Sequence, residues 1–448
     1  MQETRALAEF AHRTRFEDLP ASVVDAMKRY TLDNLACGFV GSLQPWAKIV
    51  TSLIFDNGGK EEASIFTLLR RATAAQAALA NGVMIGGFES EHIGHAAHPS
   101  GTAFPAALAI AERERLPGRS FITALALGYE LTCRIGDAQT HAVETERGIH
   151  NPAANGPFGA AAAAGTLLGF DPETLAQALG IAGSHCGGLI EFATDGAMTK
   201  RLHLGRAAQL GLESALLAER GFTGPATILE GRYGYFHAYA PAPRLDLLLD
   251  GLGETWRLET LQIKAYPCHM ICQAPVAVLQ GWKRTHAVDP ETVAGIRVRA
   301  DAHLLQERYL NQEPATLLGA QYSLPFTLAV AVFRDLDDPL NYDSSVMDDA
   351  RIRRLARAIT WEAVDGDRPT GAVAELEISV DGRTHHLRVA GCKGSTEDPL
   401  TYREVIDKFA RFTCTLLDRE RQRAIIDAVA RLEDLTDLSE LTRLIRDV

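Results

Sequence analysis

The chain has 448 residues, more than one ordinary hydrophobic core organises, so two or three units are expected. Hydrophobic residues at 46% and charged ones at 23% describe a water-soluble protein. A net charge of -12 without a Lys/Arg run excludes a nucleic-acid footprint, although a local basic cluster can still hold a small anion. Seven scattered cysteines, with no CxxC pair, read as reduced thiols of a cytoplasmic protein. The N-terminus lacks the features of a secretion signal, and no apolar run approaches the ~18–20 residues of a membrane span.

In chain order, Leu7, Phe10 and Ala11, then Val23, Val24, Met27, Tyr30, Leu32, Leu35 and Ala36 recur at three and four. They predict two amphipathic helices within 3–55, the second opened by Pro20 and Ala21-Ser22. Residues 72–84 are nearly all small and predict a helix that neighbours can approach closely. Further helices are predicted over 106–114 and 120–139, separated by Pro117-Gly118, and over 159–168, 175–189 and 210–220. Alternation with period two first appears after Leu258. It runs through Ala294, Ile296 and Val298, and again over 373–380 and 385–389 on either side of Asp381-Gly382, a strong hairpin signal. Between these runs 328–333 and 352–359 predict helices, and the helical pattern returns from Pro399 at 409–417 and 424–432. The fold class is therefore mainly α: a large helical domain, 1–260 with 397–448, interrupted by a mixed α/β domain over 261–396.

Three stretches concentrate chemistry. Gly86 to Pro105 holds His92, His95 and His98 with Glu89 and Glu91 between apolar flanks, an arrangement suited to moving protons near neutral pH. Gly94, Pro99 and Gly101 predict that it is mostly loop, with a turn after His98. No HExxH or Cys/His pairing accompanies the histidines, so no metal is expected. Asp195 to Gln209 places Lys200, Arg201, His203 and Arg206 where a helix begins, a setting for capturing a carboxylate or phosphate. Lys200 among other cations is expected to have a depressed pKa and to act as an acid or base. Lys264 and His269 flank Tyr266-Pro267-Cys268 where the helical pattern gives way; Cys268 and Cys272 read as buried, inert thiols. His150 before a Gly/Pro-rich turn and Tyr322 at a helix start are weaker candidates.

Read together, HPSGTAFPAALAIAER, LGYELTCRIG, FGAAAAAGTLLGFD, MTKRLHLGRAAQLG, RGFTGPATILEG, KAYPCH and QYSLPFTLA resemble the MmgE/PrpD family. That family includes 2-methylcitrate dehydratase, cis-aconitate decarboxylase and iminodisuccinate epimerase. The resemblance implies an all-helical domain with a smaller α+β lid inserted before the last helices, a homodimer, and neither metal nor organic cofactor. It places the family's site residues on His98, Lys200, Lys264, His269 and Tyr322, and on His150 through a segment that departs from the usual wording. Where the dehydratase and decarboxylase branches read DFDDTH, this chain reads GFESEH, so Glu89, Ser90 and Glu91 stand ahead of His92. From that departure the expected reaction is epimerisation of an iminodisuccinate-type C4 dicarboxylate. Two of His98, Lys200, His269 and His92 would exchange the proton, with Arg201, Lys264, Tyr322, His150 and Glu91 around the substrate. The alternatives are a lyase of the 2-methylcitrate or cis-aconitate type, with Glu89 or Glu91 as the acid, and a non-catalytic protein that binds di- or tricarboxylates.

Overall fold

The computed structural model describes residues 3–364, 373–389 and 391–446. It divides into a first unit of Met1–Ile190, Thr199–Leu261 and Tyr402–Val448 and a second of Glu191–Met198 and Gln262–Thr401. Residues 191–198 carry no boundary signal in their sequence.

At the centre of the first unit the helices Ala74–Gly86, Pro99–Arg113, Gly118–Gln139, Asn151–Leu167 and Thr199–Glu219 pack on one another. Their small residues permit this. A Cβ on Gly82 would lie 2.6 Å from the Gly101 carbonyl oxygen and 2.7 Å from Gly205 Cα, so three backbones meet where a larger residue could not fit. Helices this crowded are apolar all round: from Pro99 to Glu112 every residue is buried.

Several boundaries differ from the expected ones. Three helices, not two, fill the start: Glu3–Arg13, Ala21–Ser42 and Pro45–Asn57, the last opened by its own proline. Pro99-Ser100-Gly101 is the first turn of a helix with His98 as its N-cap, not a free turn. Likewise the 159–168 segment begins eight residues earlier, at Asn151, with Pro152 in its first turn and Pro157 inside. Proline marks a helix start as readily as a loop, and only packing distinguishes the two. The helix begun at Pro172 ends at Gly183, short of the predicted 189.

The second unit is built on a four-stranded sheet. Val293–Ala300 lies between Ile359–Ala363, which runs parallel to it, and Val373–Val380, which runs antiparallel and pairs in turn with Arg383–Arg388. Asp381 and Gly382 both have positive φ, 49° and 73°, the twist a two-residue hairpin needs. The helix predicted over 352–359 is Ala350–Arg357, and Ile359 instead opens an edge strand of which it alone is buried. Helix Met270–Thr285 packs against Val373–Val380 and against Leu324–Phe333. All seven cysteines are free. Among the described residues no helix is long and apolar enough to cross a membrane.

Candidate active site

Residues 87–98 join two central helices of the first unit, and their backbone is strained. Glu89, His95 and Ala96 have φ of 58°, 54° and 49°, a region that costs a residue with a Cβ about 1 kcal/mol or more. Close contacts hold them there. Gly87 fits only because it has no side chain: a Cβ would stand 2.3 Å from Trp46 Nε1 and 2.4 Å from the Val83 carbonyl. Arg201 Nε donates to the Gly87 carbonyl at 2.7 Å while its guanidinium lies 3.7 Å over the Trp46 ring. The His95 carbonyl presses on Gly136, where a Cβ would be 1.9 Å away.

The loop aims two buried carboxylates at two bases. Glu89 forms an ion pair with Lys200, each about 1% exposed. His98 Nδ1–H donates to Glu91 Oε1 at 2.9 Å; the carboxylate is wholly buried, whereas the imidazole is 16% exposed. The His98 ring lies 6.1 Å from that of His150, whose Nδ1 is 3.1 Å from Nδ1 of His203. Burial, and then the charge of Lys200, push His203 down to about 4, so at neutral pH the two rings share a hydrogen bond in which His203 is uncharged. His98 and His150 are both N-caps, each positioned by the start of a buried helix. Lys200 and His203 lie three apart on Thr199–Glu219, hence on one face. The cluster thus sets three imidazoles and one ammonium beside two carboxylates, able to bind a carboxylate and to move a proton.

Other expected members are engaged elsewhere. Arg201, expected at the substrate, is 2% exposed and supports the loop at Gly87 through its Nε. Lys200, expected among cations, has a carboxylate as its partner. The three histidines of the loop diverge: His95 turns to Asp137 and Thr260, His98 to Glu91, and His92 into the core. His92 has no exposed surface, and both its ring nitrogens are bonded: Nδ1 to Asp33 Oδ2 at 2.8 Å and Nε2 to the Tyr129 hydroxyl at 2.9 Å. Its expected exchange of a proton with substrate is therefore corrected to a role inside the core.

In the second unit His269 caps Met270–Thr285, and its ring lies 4.6 Å from Tyr322 and 5.0 Å from Tyr309. Gln273 shapes the preceding turn by accepting from the amides of Ala265 and Tyr266 and donating to the Cys268 carbonyl. Lys264 is 1% exposed. Burial pushes the Cys268 thiol well up, as an inert cysteine requires. Among the described residues, Glu375, Glu377 and His386 alone bring three potential metal-ligating atoms within 4.8 Å of one another, and both carboxylates already pair with Arg299 and Arg297 on the sheet.

Comparison with known sequences finds one family over most of the chain. The profile of the MmgE/PrpD N-terminal domain matches residues 5–248, and that of the MmgE/PrpD C-terminal domain matches 266–434. The chain belongs to the MmgE/PrpD family. Similar proteins include a cis-aconitate decarboxylase-like protein of Aspergillus oryzae, 29% identical with 99% of this chain and 97% of that protein aligned. The cis-aconitate decarboxylases of Homo sapiens, 28% identical, and Mus musculus, 27% identical, align over 99% of this chain and over 94% and 93% of their own lengths.

Three residues of this MmgE/PrpD chain escaped the sequence reading. His203 figured only as one of four basic groups, and the signal that could have singled it out is its i,i+3 spacing from Lys200. Asp33 and Lys408 stand 375 positions apart, yet Lys408 Nζ donates to Asp33 Oδ1 at 2.6 Å. Each sits in an otherwise apolar helix face, which is the only hint the sequence offers. Burial raises the Asp33 carboxyl, but the charge of Lys408 and the bond from His92 outweigh it, and the net shift is downward.

Proposed function

We propose that the chain is a lyase that removes carbon dioxide from cis-aconitate or a closely similar unsaturated tricarboxylate. The reading is carried by the His98–Glu91 pair, a partly exposed imidazole backed by a buried carboxylate in a cluster of titratable groups. With Nδ1 bonded to Glu91, Nε2 is the nitrogen through which His98 gives or takes a proton. Lys200 and His150 hold substrate carboxylates. Lys264, His269 and Tyr322 are assigned to the same task from their motif matches.

In such a substrate a CH2 group bears one carboxylate and adjoins the carbon–carbon double bond. The bond to that carboxylate breaks, and its electron pair becomes a new terminal double bond. The original double bond takes a proton at its far carbon, which His98 supplies. One proton is consumed and one carbon dioxide leaves; the product is a dicarboxylate with a terminal methylene.

The matching full-length relatives bear decarboxylase names, which favours this reaction over the epimerisation to which GFESEH first pointed. Incubation with cis-aconitate, 2-methylcitrate and iminodisuccinate, followed by proton NMR, separates the readings. Vinylidene signals and released carbon dioxide support decarboxylation. Deuterium at the α carbon of iminodisuccinate without a new alkene would instead mean epimerisation. Our reading also takes the protein to be a cytoplasmic homodimer, the former checked by cell fractionation and the latter by light scattering.

A further inference from the structure

Behind the loop that carries Glu89 and Glu91 lies a polar network buried in an apolar core. Lys408, on helix Tyr402–Thr413 near the C-terminus, donates to Asp33 Oδ1 at 2.6 Å and to the Ser90 carbonyl at 2.7 Å. Asp33, on Ala21–Ser42, uses its other oxygen for His92 Nδ1. His92 stacks on Tyr30 with 4.5 Å between centroids and reaches Tyr129, whose hydroxyl also accepts from Asn34 at 2.8 Å. Asp33, Ser90 and His92 have no exposed surface, and Lys408 is 1% exposed.

Stability does not explain such a network, because buried ion pairs of this kind can often be replaced by apolar residues without loss. Its contacts with the loop are more telling. Ser90, whose carbonyl Lys408 grips, lies between Glu89 and Glu91, and His92 follows directly. Glu89 occupies the left-handed region, so this segment needs to be held.

We propose that Lys408 and Asp33 are positioning residues of the candidate active site: they fix residues 89–92 so that Glu89 and Glu91 meet Lys200 and His98. The inference rests on the reading of His98 and Lys200 as reacting groups. It assigns to the end of the chain a part in a site made early in the sequence.

The variant Asp33→Asn/Lys408→Met removes both charges together and strands neither. Its fold, read by circular dichroism, is expected to persist, while kcat on cis-aconitate falls about 10- to 100-fold with KM changed less than about threefold, the signature of misplaced rather than missing groups. On a Glu91→Gln background the same pair is expected to cost little more, since groups acting through one another are not additive. Unchanged kcat, or a full multiplicative loss on that background, would overturn the proposal. Lys408→Arg keeps the charge but not both short contacts; it gives the same reading, an expected loss of about tenfold, should the pair fail to fold.

A second readout needs no turnover. In 15N-histidine-labelled protein, the ring signals of His98, assigned with His98→Asn, are expected to move in the pair variant while those of His286 stay. If the wild type turns over none of the substrates, the function reading fails and this signal alone judges the positioning role. A stationary His98 signal overturns it.

Discussion

Glu91 and His98, seven residues apart, are joined by a 2.9 Å hydrogen bond in which a wholly buried carboxylate accepts from a partly exposed imidazole. The burial is asymmetric in a useful way. The carboxylate holds Nδ1–H and so fixes the ring's orientation, while the ring alone has access to solvent. Glu91→Gln keeps the shape and removes the charge. It is expected to lower kcat by about 10²–10⁴-fold, the usual worth of a proton-transfer group, with the fold intact by circular dichroism. Retained activity would remove His98 and Glu91 from the mechanism.

Glu89 and Lys200 form the second buried pair, and here the two partners should behave unequally from their sum. Lys200→Met strands a carboxylate in the core and is expected to cost about 3–5 kcal/mol in urea unfolding. Glu89→Asn/Lys200→Met removes both charges and leaves at position 89 a residue that tolerates positive φ. The double variant should recover most of that stability and none of the activity. If the double variant is no more stable than the single one, the pair does not account for the cost.

His203 gives the protein an acid sensitivity that its surface does not suggest. The unfolded chain protonates this ring near its ordinary value of 6.5, the folded chain only near 4. Between those values the unfolded state binds the extra proton, so stability is complete above about 6.5 and declines as the pH falls toward 4. Burial lowers His92 as well, and it adds in the same direction. Asp33, lowered, contributes stability that is lost only below its ordinary 3.8. Melting temperatures measured from pH 7 to 4.5 should therefore fall, and His203→Gln should flatten the slope by up to about one bound proton. An identical slope in the variant would contradict this assignment.

Gly82 links packing to the site. An alanine there would push its Cβ against the backbone of Gly101 and Gly205, on the two helices that carry His98 and Lys200. Backbone cannot turn aside as a side chain can. Gly82→Ala is expected to cost about 1–3 kcal/mol and to reduce kcat as well. Gly281, within Met270–Thr285, has nothing within 4 Å of a built Cβ. Gly281→Ala should be neutral or stabilising by up to about 1 kcal/mol, and a loss there like that at Gly82 would undo the packing argument.

What the sequence made legible follows its local signals. Asp381-Gly382 announced the hairpin because a two-residue turn requires positive φ at both positions, and alternation located Val293–Ala300. Ile359–Ala363 escaped because one buried residue in a short edge strand leaves no alternation to see. Prolines at 99, 152 and 157 looked like loop because sequence cannot tell a helix start from a turn. In the site, His98 and Lys200 were visible from their motifs, but their partners were less so. Nothing local shows that Arg201 serves the Gly87 carbonyl, that His92 faces Asp33, or that Lys408 reaches Asp33 and the Ser90 carbonyl, since those contacts span 59 to 375 positions.

The most direct test of the account is proton NMR of the purified protein with cis-aconitate in D2O, run beside His98→Asn. Loss of the substrate, release of carbon dioxide and growth of two vinylidene signals are expected. One deuterium should enter the methylene formed from the old double bond, and the variant should slow all of this by at least about 10². Unchanged cis-aconitate, or equal turnover by His98→Asn, would contradict it.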